Sequence, residues 1–132
     1  MSDVIVDTSL YIQWLRQRAD FLSLLRPWLA QGRLLVCGVI RVEVLRGVLD
    51  PRQRDNVMEV FQLASEVQLT PSFWGEVADM AWTLDRRGMV IPTPDLAIAH
   101  CAMKHDATLV ALDDHFRHIP GLKRQKNLPA FR

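Results

Sequence analysis

The sequence predicts an α/β fold: a mostly parallel central sheet flanked by helices, with a helical hairpin between the second and third strands. Three observations carry this. Short apolar runs (VIV at 4–6, LLVC at 34–37, TLVAL at 108–112) have the length and branched content of strands buried on both faces. Between them lie longer stretches with apolar residues at helical spacing, bounded by capping residues, proline or glycine. Strand and helix alternate with no repeat, linker or low-complexity segment, which is the pattern of a parallel sheet.

Taken in order, the first strand covers 4–6 and a short helix starts near Ser9. A second helix is expected over 21–30, broken or restarted at Pro27 and stopped by Gly32. Strand two is 34–37, followed by a helix over 40–49. Asp50 then reads as an N-cap, with Pro51 in the first turn and Gln53 completing a capping box, for a helix reaching about Ala64. These two consecutive helices form the hairpin, a natural place for partner contacts. VQL at 67–69 is the third strand. Thr70-Pro71 opens a helix that Gly88 ends; MVI at 89–91 is a candidate short strand. Thr93-Pro94 opens the last helix, to about His105, before the strand at 108–112. The turn-rich remainder leaves room for one edge strand.

A chain of 132 residues fits a single domain, residues 1–132, with a core that needs no staples. Its 49% hydrophobic and 23% charged content describe a soluble globule, and no apolar run is long enough to span a membrane. The start, MSDVIVD, is too short and acidic for a signal peptide. Cys37 and Cys101 sit inside apolar runs and read as buried free thiols, so a cytoplasmic location is expected. Net charge is only +1, but 13 of the 16 basic residues are Arg, the residue suited to bidentate phosphate contacts.

The acids fall at element junctions. Asp7 ends the first strand, in VIVDTS. Either it, Thr8 or Ser9 caps the following helix, or it is a ligand at the strand-end edge where open α/β sheets bind. Glu43, in RVEVLRG, lies off the apolar helix face; it either pairs with Arg46 or faces a site, and Gly47 suggests close approach by another group. Asp95 follows Pro94 in a first helical turn, where an acid also complements the dipole. It heads a stripe of Ala99 and Ala102 that lets the helix lie tight on the sheet. Asp113 ends the last strand; its bland reading is a turn residue, a role Asp114 fits better. Four acids on one edge would repel unless a divalent cation sat among them. Oxygen ligands select Mg²⁺ or Mn²⁺, and such a site suits phosphodiester hydrolysis.

VIVDTS, RVEVLRG, TPDLAIAH and TLVALDDHFRHIPGL resemble, in order and spacing, the blocks of PIN-domain nucleases, and more narrowly of VapC toxins from bacterial toxin–antitoxin pairs. The resemblance covers nearly the whole chain. It implies a Rossmann-like, PIN-like domain with a Mg²⁺- or Mn²⁺-dependent endoribonuclease site. Asp7, Glu43, Asp95 and Asp113 match the acidic quartet, with Thr8 and Ser9 as supporting polar residues. It also implies homodimerisation, and a cognate antitoxin lying over the active site and the helical hairpin.

The last block departs from the family pattern, which often reads threonine, any residue, Asp, any residue, Asp, Phe. Here the places hold Ala111, Leu112, Asp113, Asp114, His115 and Phe116. Imidazole suits Mn²⁺ better than Mg²⁺. One well-held ion on Asp7, Asp95 and Asp113 is therefore expected, with a second ion weak or arriving with the RNA phosphate.

The other candidates are mostly bland. His100, His105 and His118 read as packed or solvated, and Trp14, Trp28, Trp74 and Trp82 as core. Lys123, Arg124, Lys126 and Arg132 either track RNA phosphates or form an ordinary solvated tail. A haloacid-dehalogenase-type phosphotransferase would need an acid at Ser9, and a receiver domain a Lys after the last core strand; neither is present. No glycine-rich phosphate loop occurs. The remaining alternative is a catalytically weak or inactive PIN-fold binding module.

Overall fold

In the computed structural model, which describes residues 2–131, five parallel strands form one sheet in the order β3-β2-β1-β4-β5. The strands are β1 (Val4–Val6), β2 (Leu34–Val36), β3 (Ser65–Glu66), β4 (Thr108–Val110) and β5 (Arg124–Gln125). The helices are α1 (Thr8–Gln17), α2 (Phe21–Ala30), α3 (Gly38–Leu45), α4 (Pro51–Leu63), α5 (Pro71–Arg86) and α6 (Thr93–Lys104), with a 3₁₀ helix over Asp114–His118. Parallel neighbours cannot be joined by a tight turn, so a helix pair bridges each of the first three crossovers. The expected hairpin between the second and third strands is α3 with α4, which pack on α1 and α2 respectively.

β1, β2 and β4 are buried throughout, as continuous apolar runs require. Ile5, wholly buried in the central strand, pairs with Leu35 on one side and Leu109 on the other. Truncating it to alanine would cost about 2–5 kcal/mol. Winding runs from β1 outward through β2 to β3, then returns to the other side of β1 for β4 and β5. The direction therefore reverses between β1 and β4, and a crevice opens beyond the C-terminal ends of those two strands.

Several local expectations shift. The third strand is Ser65–Glu66 rather than 67–69, although the Val67 amide still donates to Val36 C=O at 2.8 Å. MVI at 89–91 forms no strand: the Met89 amide is used to close α5, donating to Leu84 C=O at 2.9 Å, with Gly88 in the left-handed region at φ +78°. α3 stops at Leu45, so Gly47 lies beyond the helix, and a Cβ there would meet only ordinary contacts. The expected close approach at Gly47 is absent. Gln53 reaches across to Leu15 C=O at 2.9 Å instead of completing a capping box, while Asp50 caps α4 through the Arg52 amide. Trp14 and Trp28 are core residues, but Trp74 and Trp82 are exposed, lying off the buried stripe of Phe73, Val77 and Leu84. Cys37 and Cys101 are buried free thiols, hydrogen-bonded to each other between α3 and α6. No helix among the described residues is long and apolar enough to cross a membrane.

Candidate metal centre

Asp7 follows β1 directly and is the N-cap of α1. Its Oδ2 accepts from the Ser9 amide at 3.2 Å and the Ser9 hydroxyl at 2.6 Å. The backbone stays in the sheet, since its amide donates to Val110 C=O of the neighbouring strand at 2.9 Å. The strand thus delivers the carboxylate to the crevice while the helix start orients it. At 4% exposure Asp7 is, among the described residues, one of two polar residues buried with the core, the other being Thr108. Burial pushes its carboxyl above the ordinary carboxylate value. The Ser9 hydrogen bonds pull it part of the way back, and the charge of Asp95 pushes it up again.

Asp95 sits in the first turn of α6, where the helix dipole favours an acid. Ala97, Ala99 and Ala102 are fully buried, so this helix lies close on the sheet and brings Asp95 to the crevice. Asp113 leaves the end of the β4 segment and caps the 3₁₀ helix, its Oδ1 accepting from the His115 amide at 2.9 Å. His115 closes the group. Its Nδ1 lies 3.2 Å from Asp95 Oδ2 and 3.3 Å from Asp113 Oδ1. One ligand atom from each of Asp95, Asp113 and His115 falls within 4.8 Å of the others. The hydrogen bond to Asp95 and then the charge of Asp113 hold the imidazole above its ordinary pKa.

Glu43 joins from α3 through a different partner than its neighbour Arg46. Thr8 Oγ1 donates to Glu43 Oε1 at 2.9 Å, so the residue after Asp7 ties this acid to the start of α1. The acids therefore form a chain, not one tight knot. Asp95, Asp113 and His115 are mutually in reach; Asp7 feels the charge of Asp95; Glu43 is linked through Thr8. Asp114 turns away, toward Arg124 at 3.2 Å and Lys126 at 3.9 Å.

His100 packs on Phe73 and lies 3.3 Å from Glu76, tying α6 to α5; it takes no part in the centre. The sequence offers Arg124 either as part of a phosphate-tracking tail or as part of an ordinary solvated one, yet its guanidinium is bonded to the segment that carries Asp113. Nothing in residue type signals that role; it follows only from β5 pairing beside β4. Arg132 lies outside the described residues.

The donor chemistry fits a hard divalent cation. The group offers carboxylate oxygens from three separate elements and one imidazole that suits Mn²⁺, in a crevice where unneutralised acids repel. Comparison with known proteins adds the following. The family model of the PIN domain matches residues 4–122. A search of curated proteins by sequence finds no match. Solved structures with similar folds include VapBC2 from Rickettsia felis bound to a DNA fragment from their promoter, at 17% identity, 92% coverage of this chain and 96% of that one, TM-score 0.75. DNA-bound VapBC from Salmonella typhimurium matches at 18% identity, with 95% and 98% coverage and TM-score 0.73. VapBC-1 from nontypeable Haemophilus influenzae matches at 20% identity, with 92% and 96% coverage and TM-score 0.68.

Proposed function

This chain belongs to the PIN domain family, and from that premise we propose that it is a divalent-metal-dependent endoribonuclease, the toxin of a toxin–antitoxin pair. The observation that carries the reading is the gathering of Asp95, Asp113 and His115 from α6 and the β4 exit, beside Asp7 at the β1 exit. Asp7, Asp95 and Asp113 would hold Mg²⁺ or Mn²⁺, with Glu43 as the fourth acid. The bound ion would lower the pKa of an attacking water and neutralise charge on the phosphodiester. The chain's own groups prepare that chemistry. Ser9 fixes the Asp7 carboxylate, Thr8 fixes Glu43, and His115 bridges Asp95 and Asp113. The reading of one principal ion, with Mn²⁺ preferred to Mg²⁺, is supported by His115 standing where the family pattern has an acid.

An antitoxin partner is supported by the structural neighbours, which are VapBC complexes, and by unpartnered apolar residues on the hairpin. Val42, Leu49 and Leu63 are all more than half exposed. A cleft of about 430 Å³ at Leu49 is lined by apolar Ile12, Leu15 and Val48 and by polar Arg16, Asp50 and Gln53. Homodimerisation and action in the cytoplasm complete the proposal, the former supported by the exposed Trp74 and Trp82 on α5. The test is direct. Purified protein is incubated with single-stranded RNA in Mn²⁺, in Mg²⁺ and in chelator, and its expression is followed for growth arrest. Internal cleavage that chelator stops, and arrest that Asp7→Asn removes, are expected. RNA binding without cleavage in either metal would favour the inactive binding module.

A further inference from the structure

β4 and β5 stay paired as far as the Ala111 amide, which donates to Gln125 C=O at 2.9 Å. Beyond it, the carbonyls of Leu112 and Asp113 leave the sheet with no strand amide bonded to them among the described residues. Arg124 supplies the missing donor. Its Nη2 lies 3.1 Å from Asp113 C=O, 3.4 Å from Leu112 C=O and 3.2 Å from Asp114 Oδ1. The side chain is only 14% exposed, so it is committed to the chain and turned from solvent. Its Nε is buried without a partner among the described residues, a cost these bonds offset.

We infer that Arg124 is a positioning residue for the metal centre. By bonding the carbonyls of the two peptides that flank the Asp113 Cα, and the Asp114 side chain, it sets the direction in which the Asp113 carboxylate points. Asp113 Oδ1 in turn caps the His115 amide at 2.9 Å, so the same brace sets where the imidazole meets Asp95. This inference rests on the metal-site reading proposed above.

The sign of the effect separates positioning from charge. A fixed guanidinium near a cation site repels the ion, so removing Arg124 for its charge alone would tighten metal binding. Removing a brace loosens Asp113 and weakens it. Outer-shell partners of metal ligands are typically worth 10–100-fold in affinity.

The experiment is Mn²⁺ titration by calorimetry of the full chain as wild type, Arg124→Met, Arg124→Lys and Lys126→Met. Binding of a single-stranded RNA in chelator, at several salt concentrations, and metal-free thermal melting are measured alongside. Arg124→Met should weaken Mn²⁺ binding by about tenfold, and Arg124→Lys by less, because one ammonium cannot serve all three acceptors. Lys126→Met, which removes a nearby charge without touching either carbonyl, should leave Mn²⁺ affinity unchanged. Metal-free RNA binding and its salt dependence should be the same in wild type and both Arg124 variants. Should Arg124→Met not fold, Arg124→Lys decides the matter, together with the His115 amide resonance, which should shift in that variant and not in Lys126→Met. Unchanged or tighter Mn²⁺ binding in the folded Arg124 variants would overturn the inference. So would a salt slope of RNA binding reduced by about one with metal affinity intact, the mark of a phosphate contact. Wild-type protein that binds no Mn²⁺ would instead remove the metal-site reading, and the role of Arg124 with it.

Discussion

The exits of β1 and β4 are built alike and end differently. β1 runs directly into Asp7 and β4 reaches Asp113 through Ala111 and Leu112, and each aspartate caps the next helix by accepting the amide two residues on: Ser9 for Asp7, His115 for Asp113. The strands are neighbours across the point where the sheet's winding reverses. Yet Asp7 is buried and doubly held by Ser9, whereas the Asp113 side chain is 39% exposed, shares His115 with Asp95, and is braced from behind by Arg124. The comparison teaches that capping and metal binding are not rival explanations of these acids. The cap is what aims the carboxylate. What separates the two exits is the neighbourhood into which each is aimed, one buried and the other open.

The widest separation should come from Asp7→Asn. The change keeps the cap acceptor and removes a ligand charge, so RNA cleavage should fall by more than about 100-fold, beyond the range of outer-shell losses. Metal-free stability should be equal or higher. The sign follows from the raised carboxyl pKa: ionising Asp7 is disfavoured in the folded chain, so the wild type carries a penalty above its folded pKa. Any gain in Asp7→Asn is therefore present at neutral pH and shrinks as pH falls through that value and the wild type takes up its proton. A variant that unfolds at neutral pH would make the cap the dominant role of Asp7 and break the comparison.

At the other exit, His115→Asp restores an acid and should tighten Mg²⁺ binding by about tenfold, bringing Mg²⁺-supported activity toward that with Mn²⁺. His115→Ala should lose the Mn²⁺ preference. Parallel titrations with both ions check this; identical affinities in all three proteins would place His115 outside the ion's reach.

A smaller effect isolates the bond that only the first exit possesses. Ser9→Ala removes the 2.6 Å hydroxyl bond to Asp7 and leaves the backbone cap in place. Denaturant melts should show a loss of about 1.5–3 kcal/mol, the range for a hydrogen bond to a charged group. No loss would mean that the backbone cap alone holds Asp7. Smallest of all, Tyr11→Phe deletes a buried hydroxyl that has no partner among the described residues, in the same helix. Stability should be unchanged or raised by up to about 1 kcal/mol, with cleavage unaffected. A clear loss of stability would reveal a partner for that hydroxyl.

What was legible in the sequence follows the same division. β1, β2 and β4 could be read because a strand buried on both faces has to be apolar throughout, and Asp7 after β1 and Asp113 shortly after β4 stand out against that background. The edges could not. β3 has one strand neighbour and consists of two polar residues, Ser65 and Glu66, so VQL just after it drew the strand two residues too far. MVI had strand composition, but its first amide was needed to close α5. Trp74 and Trp82 show helical spacing without lying on the buried stripe, which spacing alone cannot separate. Of the proposed site, the four acids could be named as candidates from their places at element junctions, and His115 from its place beside Asp113 where the family pattern has an acid. Whom each acid touches could not be, because Thr8 with Glu43 and Arg124 with Asp113 depend on which strands and helices become neighbours.

The central claim is that Asp7, Asp95 and Asp113 share one divalent cation. Crystals of the full chain grown with Mn²⁺ and measured at the manganese absorption edge test it most directly. One strong anomalous peak is expected within about 2.0–2.4 Å of oxygens from these three carboxylates, the range of hard-cation distances to oxygen ligands. The peak should disappear in Asp95→Asn. A peak held by Asp113 and His115 with Asp7 still turned to Ser9, or no peak at this edge of the sheet, would contradict the claim.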